Sequence, residues 1–345
     1  MKNLFFKINI FFFLINLSSF SQEIILKGTV LDENENPLYG ANIYFEGTTI
    51  GTVSNEKGYF ELKLTNQINS IFVISYIGYK EVYFKNYTIF KDKIHQVYLQ
   101  PEIESLNEII VKNHLFSRKD FLKSFKENFL GEKKFWKECI IVNEDDLIFD
   151  YDYNKHTFYA KSYEDLIIRN DYLGYKIIYK LEDFEVKFTS KSLSKSQIIQ
   201  SFYSGISRFI EINNEKRIIK RREKAYENST LQFFRWISKN DWSDKSYLLF
   251  DGSFNIDPNN YLKINSLNNF YNVSVFKIEK DLKPKNFISE LNILYRRKYQ
   301  SKIIFYTNNF LIDFYGLNNE IENIIFSGDM TKKKISEMLP ADYGM

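Results

Sequence analysis

Residues 28–64 read GTVLDENENPLYGANIYFEGTTIGTVSNEKGYFELKL, and SYIGYKEVYF follows at 75–84. Short runs of β-branched and aromatic residues alternate here with turn punctuation. Ile24 to Leu31 reads as a strand, and Asp32-Glu-Asn-Glu-Asn-Pro37 as a turn whose side chains bond their own backbone. Ala41 to Phe45 and Thr48 to Val53 are the next strands, and Asn55-Glu-Lys-Gly58 is a hairpin turn ending in glycine. Phe60 to Leu64, Ser70 to Tyr76, Lys80 to Tyr83 and His95 to Leu99 complete the series. Strands of this length and spacing predict a seven-stranded β-sandwich over residues 22–100.

Outside that stretch, the first 21 residues carry the pattern of a secretory signal. Lys2 and Lys7 precede the apolar run from Ile8 to Leu17, and Ser19-Phe20-Ser21 places small residues before Gln22. The run is too short for a membrane span, and no later segment reaches 18 apolar residues. Formal charge is +3 and falls to +1 once Lys2 and Lys7 are removed, which leaves no electrostatic case for nucleic acid. Aromatics make up 18% of the 345 residues, a composition that leans toward sheet. The single cysteine, Cys139, excludes an intramolecular disulfide; within Cys-Ile-Ile-Val it reads as a buried, inert thiol.

The motifs Gly28-Thr29-Val30, Pro37-Leu38, Gly40-Ala41-Asn42-Ile43, Gly47-Thr48, Gly51-Thr52, Ser54, Gly58-Tyr59-Phe60 and Ser75-Tyr76-Ile77-Gly78-Tyr79 carry a family resemblance. So do Leu99 and the exit Leu106-Asn107-Glu108-Ile109-Ile110-Val111. This region resembles the carboxypeptidase-like regulatory domain, a transthyretin-like β-sandwich. The resemblance implies export and an accessory role, because such modules often open exported proteins of Gram-negative bacteria, TonB-dependent receptors among them. It implies no reaction. A zinc carboxypeptidase needs His-x-x-Glu and a distant His. His95, His114 and His156 are followed by Gln-Val-Tyr, Leu-Phe-Ser and Thr-Phe-Tyr, so that ligand set is absent from the sequence. A large receptor barrel does not fit in the roughly 230 residues after position 116.

Residues 101–116 read as a linker and 117–345 as an α+β region. Phe121, Leu122, Phe125 and Phe129 form a helical stripe over Arg118 to Leu130, ended by Gly131. A second helix is expected from Arg217 to Ile237. Between and after them, Trp136 to Phe188, Phe270 to Ile278, Lys302 to Phe305, Phe310 to Phe314 and Ile321 to Phe326 read as antiparallel strands. The expected architecture is therefore mainly β, with an antiparallel sheet carrying one or two packed helices behind the sandwich. Asn128 to Gly131, Leu173 to Tyr179, Tyr203-Ser204-Gly205, Arg222 to Tyr226, Ser229 to Arg235 and Leu339 to Tyr343 resemble a group of exported bacterial proteins named for the N-terminal module. That group often has a His where Gln232 stands.

Several constellations bear on function. Arg217, Lys220, Arg221 and Lys224 share one helical face and, in an exported protein, suit anionic lipid or acidic polysaccharide; solvated pairing with Glu215, Glu223 and Glu227 is the plainer reading. Trp136 and Trp236 sit in apolar runs and read as core, while Trp242 after Lys-Asn-Asp is the tryptophan for a binding surface. Asp32 to Asn36 alternates oxygen donors but lacks the glycine and closing glutamate of a calcium loop, so it reads as a solvated turn. Asp145, Asp146, Asp150, Asp152 and Asp165 are the acids from which a carboxylate pair would come. The sequence thus points to a non-enzymatic, exported accessory or binding protein of the periplasm or outer-membrane face. It offers no catalytic residue, metal ligand or cofactor motif. The expected partner is an envelope protein or polysaccharide, with peripheral membrane contact compatible and nucleic acid not. The alternative is a carbohydrate-active or other hydrolase drawing acids from residues 143–171.

Overall fold

The computed structural model describes residues 23–91, 93–102, 115–267, 269–276 and 287–345. The expected leader at 1–21, His114 and the expected exit at Leu106 to Val111 lie outside them.

Alternation builds the first region. β1 (Ile24–Leu31) pairs antiparallel with β4 (Tyr59–Leu64) and parallel with β7 (His95–Tyr98). A second sheet runs in the order β3 (Gly51–Val53), β2 (Asn42–Phe45), β5 (Phe72–Ser75) and β6 (Val82–Phe84). Inward residues Leu26, Val30, Ile43, Phe45, Phe60 and Phe72 are buried between them. Phe72 lies 5.0 Å from Phe45 and 5.3 Å from Phe90, ring to ring, pairs that add about 0.5–1.5 kcal/mol each beyond burial. The turn expected to join a hairpin at Asn55 to Gly58 instead carries the chain from β3 to β4 in the other sheet, and Gly58 takes φ +70° there, where a Cβ would sit 2.4 Å from the Val30 carbonyl oxygen. The Asp32 carboxylate accepts from Asn36 Nδ2 at 2.9 Å, Asn36 N at 2.7 Å and Asn34 N at 2.8 Å, and these bonds, the side-chain one first, lower its pKa. The turn consumes its own oxygens.

The second core is a helix on a six-stranded antiparallel sheet. Helix α1 (Arg118–Phe129) starts at a capping box between Ser117 and Asp120. Its stripe of Phe121, Phe125 and Phe129 packs on Phe158, Phe184 and Tyr179 at 5.2, 4.7 and 5.1 Å. The sheet contains β8 (Cys139–Ile141), β9 (Leu147–Asp152), β10 (Thr157–Ser162), β11 (Leu166–Asn170), β12 (Tyr175–Phe188) and β13 (Ile198–Glu211). β10 and β11 share one side of β12, and β13 runs along the other. Buried residues of β12 are odd-numbered at Tyr175, Ile177 and Tyr179 but even-numbered at Phe184, Val186 and Phe188. A bulge between Leu181 and Asp183 makes the change of phase, so both halves face α1. Cys139 is buried here and its thiol is pushed up to about 12 by burial. Trp136, in the one-turn helix α2 (Lys133–Trp136), packs partly buried against the same core.

The helix expected from Arg217 to Ile237 is two. α3 (Lys216–Tyr226) ends before Asn228, which adopts a left-handed φ of 54°. Ser229 then caps α4 (Thr230–Lys239) by accepting from Gln232 N at 3.1 Å. Phe233, Phe234, Trp236 and Ile237 of α4 enter a third core. Its sheets are β15 (Phe254–Asn255), β14 (Tyr247–Asp251), β18 (Ser289–Tyr295), β19 (Tyr299–Phe305) and β21 (Ile324–Gly328), in that order, and β16 (Leu262–Leu267), β17 (Phe270–Val275) and β20 (Asn309–Asp313). The strand expected from Ile321 begins later, because Ile321–Asn323 forms a 3-10 turn.

The last residues join all three cores. Met330 lies in the third, Ile335 in the second and Ala341 in the sandwich. Arg235 holds this tail, donating to the carbonyls of Ala341 at 2.7 Å and Tyr343 at 2.8 Å and also to Tyr315 O at 2.9 Å.

Candidate functional site

Helix α3 places the basic residues. Arg217, Lys220 and Lys224 are exposed and form no ion pair among the described residues. Arg221 leaves that surface: its guanidinium makes two 2.9 Å bonds to the Glu138 carboxylate and stacks 4.6 Å from the Tyr172 ring. Arg222, which follows Arg221 in the same basic run, is only 5% exposed. It donates to the carbonyls of Leu173 at 2.7 Å, Asn213 at 2.6 Å and Gly174 at 3.2 Å, pairs with Glu211 at 3.0 Å, and covers the Tyr175 ring. A buried guanidinium is tolerated where its donors are this fully used. Trp242 is half-buried against Trp236, with its indole N–H donated to Asn259 Oδ1 at 2.9 Å.

A cleft of about 360 Å³ opens between β13, the start of α4 and the segment after β21. Ser201 and Tyr203 line one wall, Thr230 the end, and Lys333, Lys334 and Glu337 the other wall. Lys333 donates to the Ala225 carbonyl at 2.6 Å, at the C-terminus of α3, where a cation meets the negative end of the helix dipole. Lys334 sits 5.2 Å from the Tyr203 ring centroid. Burial lowers the pKa of both lysines and raises that of Glu337. The Ser201 hydroxyl is buried without a hydrogen-bond partner. A second cleft, of about 430 Å³, lies beside α1 and contains Asp120, Lys123 and Glu127.

The acids expected to supply a catalytic pair are dispersed. Asp145 is exposed 4.0 Å from Arg118, and Asp146 accepts from Asn143 at 2.7 Å. Asp150 accepts from Tyr151 N at 2.9 Å, and Asp152 from Asn154 N at 2.9 Å. Asp165 differs. Burial, then Glu81, pushes its carboxyl up to about 6, while Lys180 pulls the other way. Lys180 bonds Glu81 at 2.8 Å, so this cluster lies at the joint between the sandwich and the β12–β13 sheet. Neither Asp165 nor Glu81 lines the two clefts.

That joint is built from backbone as well. Gly47 N donates to Ser207 O at 2.7 Å, Phe209 N to Thr48 O at 3.0 Å, and Ala341 N to Gly47 O at 2.9 Å. Asp342 accepts from Thr49 N at 2.9 Å and from its hydroxyl. Among the described residues no group of three or more His, Cys, Asp or Glu is placed to hold a metal ion, and no helix is long and apolar enough to cross a membrane.

Comparison with known proteins places the first region. Residues 26–111 match the model of the CarboxypepD_reg-like domain, as the motifs at 28–79 led us to expect. Sixty-six residues are 38% identical to a segment of the TonB-dependent receptor SusC of Bacteroides thetaiotaomicron. That match takes in 19% of this chain and only 6% of the receptor.

Proposed function

We propose that this chain is an exported, non-enzymatic binding protein of the bacterial cell envelope, in which the sandwich is an attached accessory module and the region after it carries the binding surface. The CarboxypepD_reg-like match and the stretch similar to a TonB-dependent receptor support the envelope setting. The observation that carries the binding reading is the lysine-walled cleft beside β13, which contains one carboxylate, Glu337, and so lacks the pair a glycosidase needs. In the second cleft Asp120 and Glu127 stand seven residues apart on α1, about 10 Å along the axis. Asp120 is also held low by its bonds to Ser117, the reverse of a general acid. Raised acids would favour a hydrolase, but Glu337 is the sole carboxylate lining its cleft, and Asp165 lies with Glu81 in the joint rather than in either cleft. The partner is an envelope protein or polysaccharide. Cell fractionation followed by pull-down from solubilised envelopes tests the proposal. Enrichment in the envelope with a reproducible partner is the expected result. Recovery in the cytosol alone, or glycan-cleaving activity abolished by Asp165→Asn, overturns it.

A further inference from the structure

β13 is fourteen residues long and pairs with β12 alone within its sheet. Its far end is already used: Ser207 and Phe209 bond the Gly47–Thr48 segment of the sandwich. Those bonds fix the phase of the strand. Backbone groups of odd-numbered residues point away from β12; the bulge at Leu181 to Asp183 adds its extra residue to β12, so β13 keeps that phase back to Gln200, where a second bulge leaves Ile199 of β13 unpaired. Ser201, Tyr203 and Gly205 therefore turn their N–H and C=O groups outward. Among the described residues no backbone bond from another element reaches them.

Natural edge strands are guarded by charge, proline or short length. Residues 198–207 read IIQSFYSGIS, with no charged residue and no proline. Ile199 is 59% and Phe202 47% exposed. Charge appears only beside the edge, where Lys334 stands over Tyr203 with no carboxylate paired to it among the described residues and Lys333 is its neighbour. Burial disfavours that uncompensated ammonium, so a carboxylate brought into the cleft would be drawn to it.

We propose that the free edge of β13, residues 201–205, is a strand-addition site for an extended segment of a partner polypeptide, with a carboxylate of that segment set against Lys334. The added strand continues the edge that Gly47–Thr48 begins to cover. This rests on the binding-protein reading and names the chemistry of its partner: a polypeptide with β-forming residues ending in, or carrying, acid.

The probe is a fluorescent peptide alternating Thr and Val and ending in Asp-Glu with a free carboxylate, measured by anisotropy against the purified protein. Alternate N-methylation of its amides should abolish binding. Ser201→Pro removes an outward N–H at an edge, where proline is tolerated, and should weaken binding about tenfold or more while leaving the melting temperature nearly unchanged. Lys334→Gln should weaken the acidic peptide about fivefold and leave an amidated Asn-Gln version unaffected. Equal binding by the N-methylated peptide or by Ser201→Pro overturns the proposal, as does absence of binding at about 1 mM. A concentration-dependent dimer abolished by Ser201→Pro would assign the edge to a second copy and also overturn it. Envelope fractionation is scored separately, so an envelope protein that ignores the peptide defeats only this inference.

Discussion

The edges of the sandwich are short: β3 and β6 have three residues each, β7 four and β4 six. The edge of the neighbouring sheet, β13, has fourteen, and only its last part is covered. A sheet of short edges exposes little backbone to pair with anything else, whereas a long uncharged edge exposes a template. The sandwich is thus closed except where this chain itself uses it, through Gly47 to Thr49. The cores show the opposite dependence. The second and third cores each have their own helix, but the sandwich core includes Tyr315 and Ala341 from the far end of the chain. What reads as a separate module along the chain is completed by residues more than two hundred positions away.

The strongest way to break this comparison is to open the sandwich core. Phe72 is fully buried among Phe45, Phe60 and Phe90, so Phe72→Ala should cost about 3–5 kcal/mol. Because Ala341 and Asp342 tie the sandwich to the tail, we expect the loss in one thermal transition followed by far-UV circular dichroism. An early transition confined to the sandwich, with the rest melting at the wild-type temperature, would show that the ties carry little coupling.

Arg222→Met comes next, at about 3 kcal/mol, because the Leu173 and Asn213 carbonyls lose this donor and Glu211 its cation, while Gly174 O keeps Ile212 N. Arg217→Met, on the exposed turn of the same helix, should change stability by less than about 0.5 kcal/mol. Urea denaturation of the two variants separates them, and equal effects would contradict the depth assigned to Arg222.

That contrast also marks what could be read from the chain. Strands of the sandwich follow from alternation and from turn residues whose jobs are local, such as Asn55 bonding Lys57 N and Tyr59 N. The Phe121, Phe125 and Phe129 stripe is equally legible, since helical spacing alone puts those rings on one side. Depth is not local. Arg221 and Arg222 are adjacent cations in the same helix, and only folding sends one to Glu138 and the other into a cage of carbonyls. The break between α3 and α4 did leave a trace in Asn228-Ser229, a left-handed residue followed by a cap, but it contains neither glycine nor proline and sits inside an apolar pattern. The cleft was illegible because its walls come from β13, α4 and the tail, and Asp165 was read among its sequence neighbours although Glu81 and Lys180 set its environment.

Asp342→Ala probes the tie itself. It removes the two bonds to Thr49 at a partly exposed site, an expected loss of about 1–2 kcal/mol. If the sandwich depends on the tail for closure, amide exchange of β2 and β3 should accelerate along with that of the tail. Faster exchange in the tail alone would mean that Ala341 contributes nothing to closing the core.

The smallest effect is the most specific to the joint. Asp165 titrates at about 6 in the folded protein, above the ordinary aspartate range, and Glu46 is also raised by burial at the same joint, beside Ser207. A carboxyl whose folded pKa exceeds its unfolded one binds more protons in the native state across the interval between them. Stability from such a group is therefore fully present below about pH 4 and lost as pH rises through about 6, the reverse of a salt-bridged acid. For Asp165 the change is on the order of 1 kcal/mol after allowing for its partial exposure and for Lys180 nearby. Asp165→Asn should be more stable than the wild type at pH 8, by about half as much at pH 5, and nearly equal to it below about pH 4, with the difference read from urea midpoints. A variant less stable than wild type at pH 8 would mean that the Asp165 carboxylate is held by Lys180 rather than opposed by Glu81, and the joint would then be an ion-pair network with no acid strain in it.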